Sequence, residues 1–214
     1  MSEVTWAETA PTSPPVPRIK MGEVARKLLH MWGGTCAFLI RILTPERMVM
    51  LAVAVLILNW VIMPPLGGRV FWRKNEKTRG VPIGILLYCF SLIALTLIFF
   101  QHKWMAATIW GILAFGDGAA TIAGRVLGGP RLPWNANKGW AGSITFFVFA
   151  SVSSVALISW TKRVPYPSVI LLGIAIALVC AIVESLPLKL DDNVTVPLAG
   201  AIALPLLAIV MISG

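Results

Sequence analysis

Seven mainly apolar stretches, most of them near the length of a bilayer crossing, leave this chain few folds to choose from. They run from Leu28 to Leu43, Met48 to Pro65, Pro82 to Phe100, Lys103 to Gly124, Ala141 to Trp160, Ser168 to Leu186 and Val194 to Ser213. A crossing takes ~20 apolar residues. In hydrocarbon only a helix or a closed barrel satisfies its own backbone. Of the 214 residues, 57% are hydrophobic and 13% charged, a membrane composition rather than that of a water-soluble domain. The fold expected is all-α: a polytopic membrane helix bundle of about seven transmembrane helices, or six if the short first stretch lies in the interface. Residues 1–17, with Pro11, Pro14, Pro15 and Pro17, read as a disordered N-terminal tail. Residues 18–214 read as one membrane-embedded bundle, with its first span expected to target the chain.

Charge then orients the bundle. Seven spans put the tail and the loops after spans two, four and six on one side. That side holds thirteen Lys and Arg and the other holds five. Such a bias marks the cytoplasmic side, so the expected location is the cell (inner) membrane with the site facing the cytoplasm. The net charge of +9 is read as loops facing anionic head groups, not as nucleic-acid binding. Cys36, Cys89 and Cys180 sit inside apolar runs without metal-ligand spacing. Nothing in the sequence indicates an oligomer.

Within the fourth stretch Gly116-Asp117-Gly118 interrupts the apolar run. A carboxylate in hydrocarbon is costly, so it normally turns into the protein and has a function. Glycines allow close backbone approach. The run continues through Gly124, Arg125, Gly128, Gly129 and Arg131 to Lys138, a set suited to phosphate. It is neither a P-loop nor a dinucleotide fingerprint. From Lys77 onward the only acidic residues are Asp117, Glu184, Asp191 and Asp192. All lie toward the basic side, with Asp117 ~10 Å from its helix end. Acids at one depth need a cation among them, and Mg²⁺ suits carboxylates combined with phosphate oxygens. The plain alternatives are an Asp117–Arg125 pair, a Glu184–Lys189 pair and a helix cap at Asp191. Lys27 and His30 share a face of the first helix near the same side. His30 is a candidate base or phosphate contact, or simply a packed histidine.

Three motifs, in order, resemble those of the CTP-dependent polyprenol kinases: phytol kinase, dolichol kinase and CTP-dependent diacylglycerol kinase. The first is ArgLysLeuLeuHis at 26–30 followed by Gly34. The second is GlyAspGly at 116–118 through GlyArg at 124–125 to LysGlyTrpAlaGlySer at 138–143. The third is GluSerLeuProLeu at 184–188 with LeuAspAspAsn at 190–193 and ThrValProLeu at 195–198. The family is distantly similar to phosphatidate cytidylyltransferases. The resemblance implies phosphoryl transfer from CTP, with Mg²⁺, to a lipid alcohol drawn from the bilayer. On this chain it implies Asp117, Lys27 and His30 as catalytic residues. Gly116, Gly118, Gly124, Arg125, Arg131 and Lys138 would bind nucleotide, and Asp117, Glu184, Asp191 and Asp192 metal. Pro130 to Asn137, and Gly139 after Lys138, depart from the family pattern.

Two rivals stand beside this expectation. A phosphatidate cytidylyltransferase would make a CDP-lipid and pyrophosphate from the same ingredients. A small ion-coupled transporter would use Asp117 and Glu184 but needs polar residues through the whole thickness, and the outer halves of the spans are dry.

Overall fold

The computed structural model describes residues 21–162 and 166–212, and the expected tail at 1–17 lies outside them. The described chain is helical apart from one small hairpin. Helix α1 covers Met21–Gly34, α2 Pro45–Ile57, α3 Lys74–Arg79 and α4 Ile83–Ile98. Helix α5, Lys103–Gly111, passes through a π-helical turn at Ile112–Asp117 into α6, Gly118–Val126. After strands β1 (Arg131–Leu132) and β2 (Asn135–Gly139) come α7 (Trp140–Thr161), α8 (Tyr166–Ser185) and α9 (Asp192–Ile212).

Five helical segments are long and apolar enough to cross a membrane: Pro45–Ile62, Lys103–Val126, Trp140–Thr161, Pro167–Ser185 and Asp192–Met211. Ile83–Ile98 is a shorter apolar helix. The all-α, multi-pass architecture read from the hydropathy is therefore the one found. The first stretch differs in form. It is α-helical only to Gly34 and continues as a 3₁₀ helix over Thr35–Arg41. A 3₁₀ helix rises ~2 Å per residue against ~1.5 Å for an α-helix. The short apolar run therefore reaches further than its length implies. Its two ends fix the traverse: Lys27 meets Asp117, while Arg41 Nη1 donates to the Trp160 carbonyl, near the far end of α7, at 3.0 Å.

The α5–α6 segment is the central element. Of its most apolar window 78% is buried, against 17% for Pro45–Ile62. It packs on α7, with α8 and α9 completing one side and α1 the other. Small residues allow the approach. A Cβ at Gly111 would meet the Leu157 side chain at 2.1 Å, and one at Gly34 would meet Ala114 at 2.4 Å. The core is apolar and tight around Ile109, Ile112, Leu113, Phe146 and Leu157. Pro197 and Pro205 are tolerated inside α9 because neighbouring helices shield the backbone they free. The stripe Gly84, Tyr88 and Ser91 ties α4 into this bundle: Ser91 Oγ donates to the Asn193 carbonyl at 2.5 Å.

Candidate functional site

The link expected to be a loop forms an antiparallel hairpin. Gly128 and Gly129, at φ 61° and 94°, turn the chain into it with backbone angles that side chains disfavour. Asn135 anchors the hairpin to the end of α8 by donating to the Ser185 carbonyl at 3.0 Å. Its Oδ1 also accepts from the Asn137 backbone N–H at 3.1 Å. The hairpin, α1, the loop before α3, α6 and the α8–α9 connection enclose a cavity of about 1030 Å³ at the basic end of the bundle.

Asp117 ends the π-helical turn, is 8% exposed, and is on the cavity wall. Thr121 and Arg125 follow it on the same wall at helical spacing. Lys27 Nζ donates to Asp117 Oδ2, and His30 Nε2 lies 3.7 Å from the same oxygen. A carboxylate this buried persists only opposite a cation. That cation is Lys27 rather than Arg125, which instead meets Glu23 at 2.6 Å. His30 is behind the wall, its ring 4.3 Å from that of Tyr88.

A second cluster centres on Lys138. Its Nζ donates to the Glu184 backbone carbonyl, to Glu184 Oε1 at 2.7 Å and to Asp192 Oδ2 at 3.1 Å. Burial pulls the Lys138 ammonium down, but the Asp192 and Glu184 carboxylates outweigh it and hold the group above its ordinary value of 10.5. In a third pair Arg73 Nη1 meets Asp191 Oδ2 at 2.5 Å. Burial would raise the Asp191 carboxyl, yet the Arg73 hydrogen bond and charge hold it below its ordinary 3.8. Asp191 Oδ1 also accepts from the Asn193 N–H at 3.1 Å. It therefore caps α9 and borders the cavity at once.

The acids expected to share one ion are thus divided among three basic partners. Among the described residues, no group of three or more His, Cys, Asp or Glu is gathered as a metal-ligand set. The Asp117–Arg125 and Glu184–Lys189 pairings do not form either. Partners so distant in sequence follow from the packing of helices, which no local spacing reveals. One acceptor is left over: Glu184 Oε2 is buried without a hydrogen-bond partner. That oxygen and Asp192, both beside Lys138, make the one or two carboxylates that a hard cation takes when phosphate and water fill the rest of its shell.

The glycines expected to meet nucleotide are also sites of close helix packing. A Cβ at Gly116 would meet Phe146 at 3.1 Å, and one at Gly118 would meet Met31 Cγ at 2.3 Å. Gly124 faces Gly142, with 3.6 Å from its would-be Cβ to the Gly142 Cα. All three are contact points between helices, so the wall is left to Asp117, Thr121 and Arg125. Arg131 is exposed and does not line the cavity, but it donates weakly at 3.5 Å to the carbonyl of Asn137, which does.

Arg73, Arg26, Glu23 and Trp72 also line the cavity, and of these only Arg26 belongs to one of the three motifs. A signal was present in ArgLysAsnGlu at 73–76, which has capping-box spacing. Glu76 accepts from the Arg73 N–H at 2.7 Å and from the Gly84 N–H at 2.6 Å. An acid placed to order a basic loop distinguishes it from a plain membrane anchor.

No protein-family model matches the chain, and no solved structure does. Curated relatives do. Phytol kinase 1, chloroplastic, of Arabidopsis thaliana is 33% identical over 138 residues, 61% of this chain and 44% of the relative. Probable phytol kinase 1, chloroplastic, of Oryza sativa subsp. japonica is 34% identical over 141 residues, 63% and 45% of the two chains. Farnesol kinase, chloroplastic, of Arabidopsis thaliana is 34% identical over 136 residues, 61% and 44%. The chain spans less than half the length of these relatives. The chain is thus similar, over about three fifths of its own length, to phytol and farnesol kinases.

Proposed function

We propose that the chain is a multi-pass membrane phosphotransferase that moves the terminal phosphoryl group of CTP onto an isoprenoid alcohol. The observation that carries this reading is the cavity itself. It lies at the end of a membrane bundle, within reach of bilayer and water, and its wall alternates carboxylates with Lys27, Arg73, Arg125 and Lys138. That pairing of signs suits a polyanion with a divalent ion, and the relatives' names supply the alcohol. The charge bias supports a reading in which the basic side, toward which the cavity opens, faces the cytoplasm of a cell (inner) membrane.

In the reaction, the bond from the terminal phosphorus to its bridging oxygen breaks and CDP leaves. A new bond forms to the alcohol oxygen, whose proton passes to a wall carboxylate. Of the two acids on Lys138, Asp192 is the more open, with its side chain 34% exposed against 8% for Glu184. Lys27, Arg73, Arg125 and Lys138 bind and orient phosphate oxygens and stabilise the charge that develops in flight. His30, behind Asp117, lies 3.7 Å from that carboxylate and does not line the cavity. Mg²⁺ would be held by the Glu184 and Asp192 pair and would supply charge neutralisation to the phosphates. The transporter reading loses support in the far half of the bundle. There the buried Thr108, Ser153 and Ser154 hydroxyls are turned onto backbone carbonyls.

The test is purified protein in nanodiscs with γ-labelled CTP, ATP or UTP and a panel of phytol, farnesol, geranylgeraniol and diacylglycerol. Labelled isoprenoid phosphate with CDP is expected, with CTP preferred. A CDP-lipid with pyrophosphate from phosphatidate would replace the kinase by a cytidylyltransferase. Nucleotide-independent ion flux without any product would replace it by a transporter.

A further inference from the structure

The polar cavity has an apolar margin at the α8–α9 connection. Between α8 and α9 the chain leaves helical form, turning at Leu186, whose carbonyl accepts from the Leu188 N–H at 2.9 Å. Leu188 and Leu190 border the cavity, yet they are 49% and 64% exposed. These are two leucines held open beside charged groups, on a non-helical segment, with about half or more of their surface uncovered. Glu184 and Asp192 both hold Lys138, so the segment joins an oily surface directly to the densest charge cluster. At ~3.5 Å per residue, Leu190 is within ~7 Å along the chain of Asp192.

The height of this margin is set by aromatic side chains. Trp134 Nε1 donates to Ser185 Oγ at 3.2 Å, and the Trp134 ring stands edge-on to Trp140 at 5.7 Å. Both are partly exposed. Tryptophans placed so collect at the level of lipid head groups, which is also where the hydroxyl of a membrane alcohol resides. Lys189, between the two leucines, can keep its ammonium in water while its stem lies on the apolar surface.

We propose that Leu188 and Leu190 are the tail subsite of the acceptor. The isoprenoid chain next to the hydroxyl lies across these two side chains, and the hydroxyl enters the cavity between Lys138 and Asp192. The occupant is a lipid tail rather than a protein partner because the apolar surface is continuous with the cavity and ends at its charge cluster. For the fate of the hydroxyl this rests on the kinase reading; for the position of the tail it does not.

The experiment uses the full-length protein in nanodiscs and a farnesol analogue carrying a diazirine near its hydroxyl end. Photolysis without nucleotide, digestion and mass spectrometry should find the label within 186–190. In turnover assays the Leu188→Asn/Leu190→Asn variant should raise the KM for the alcohol about tenfold and leave the KM for CTP within about twofold. Label confined to α1 or α4, or an unchanged alcohol KM in a folded variant, overturns the subsite. Label within 186–190 in a protein that phosphorylates no alcohol keeps the subsite and overturns the kinase. Because the labelling is done on the unmodified chain, a variant that fails to fold does not decide the matter.

Discussion

The two ends of the bundle use basic residues in opposite ways. At the end away from the cavity, Arg41 rests 4.5 Å over the Trp160 ring and donates to the Trp160 carbonyl. Lys162 lies 4.6 Å over Trp104, and Lys103 donates to the Leu43 carbonyl at 3.3 Å. These are cations settled on neutral acceptors at an interface. At the cavity end Lys27, Arg73, Arg125 and Lys138 each face a carboxylate. Of the seven acidic residues in the described range, Glu46 alone belongs to the far end. A neutral acceptor anchors a cation permanently. A carboxylate partner can exchange it for another cation, and the freed side chain can then take phosphate. The placement of acid, rather than the count of base, separates working surface from anchor.

The strongest challenge to this contrast is Asp117→Asn. Turnover should fall about a thousandfold or more, and Lys27, left buried without its counter-charge, should cost ~3–5 kcal/mol of stability. Adding Lys27→Met should return most of the stability, read as thermal unfolding in detergent, without returning activity. Retained activity in the single variant would defeat the assignment. Next in size is a matched pair. Lys138→Ala should lower kcat/KM about a hundredfold and Lys162→Ala by less than about twofold. Equal losses would erase the distinction between the ends.

A third variant probes the packing that aims the cavity wall. Gly118→Ala puts a methyl against Met31 and should cost ~1–3 kcal/mol, with activity falling as α1 carries Lys27 away from Asp117. Met31→Ala in the same chain should restore both; failure to do so would separate the glycine from α1. The smallest effect concerns acid. The Asp191 carboxyl is held low in the folded protein, so its contribution is complete above 3.8 and is lost as pH falls through that lowered value. Arg73→Gln should therefore move the acid-unfolding midpoint upward by less than about one pH unit. Lys138 behaves inversely: its contribution is complete below 10.5 and is lost as pH rises through its raised value. An unmoved acid midpoint would mean that Arg73 and Asp191 do not pair in solution.

The helical class and the gathering of motifs at one end could be read before any coordinates, because hydropathy and charge bias are properties of segments. Asp117 was legible for the same reason, as an acid inside an apolar run. Its partner was not: Lys27 and Asp117 are 90 residues apart, and Arg73 and Asp191 are 118 apart. The role of the glycines is not legible in sequence, because close approach to a ligand and close approach to a helix need the same missing Cβ. Lys138 stands out in the sequence, but its hold on both Glu184 and Asp192 depends on a hairpin that folds back onto α8.

The π-helical turn at Ile112–Asp117 carries one more consequence. Such a turn fits an additional residue into a helix that otherwise continues unchanged. Each residue advances the helix by ~100°, so removing one there would preserve the hydropathy of the span while swinging Asp117 about a quarter-turn, off the aqueous hollow and into the packed interior. The angular phase of this acid is set by a local widening of the coil, and a chain of the same composition without it would still span the bilayer with its charge aimed at the wrong neighbour.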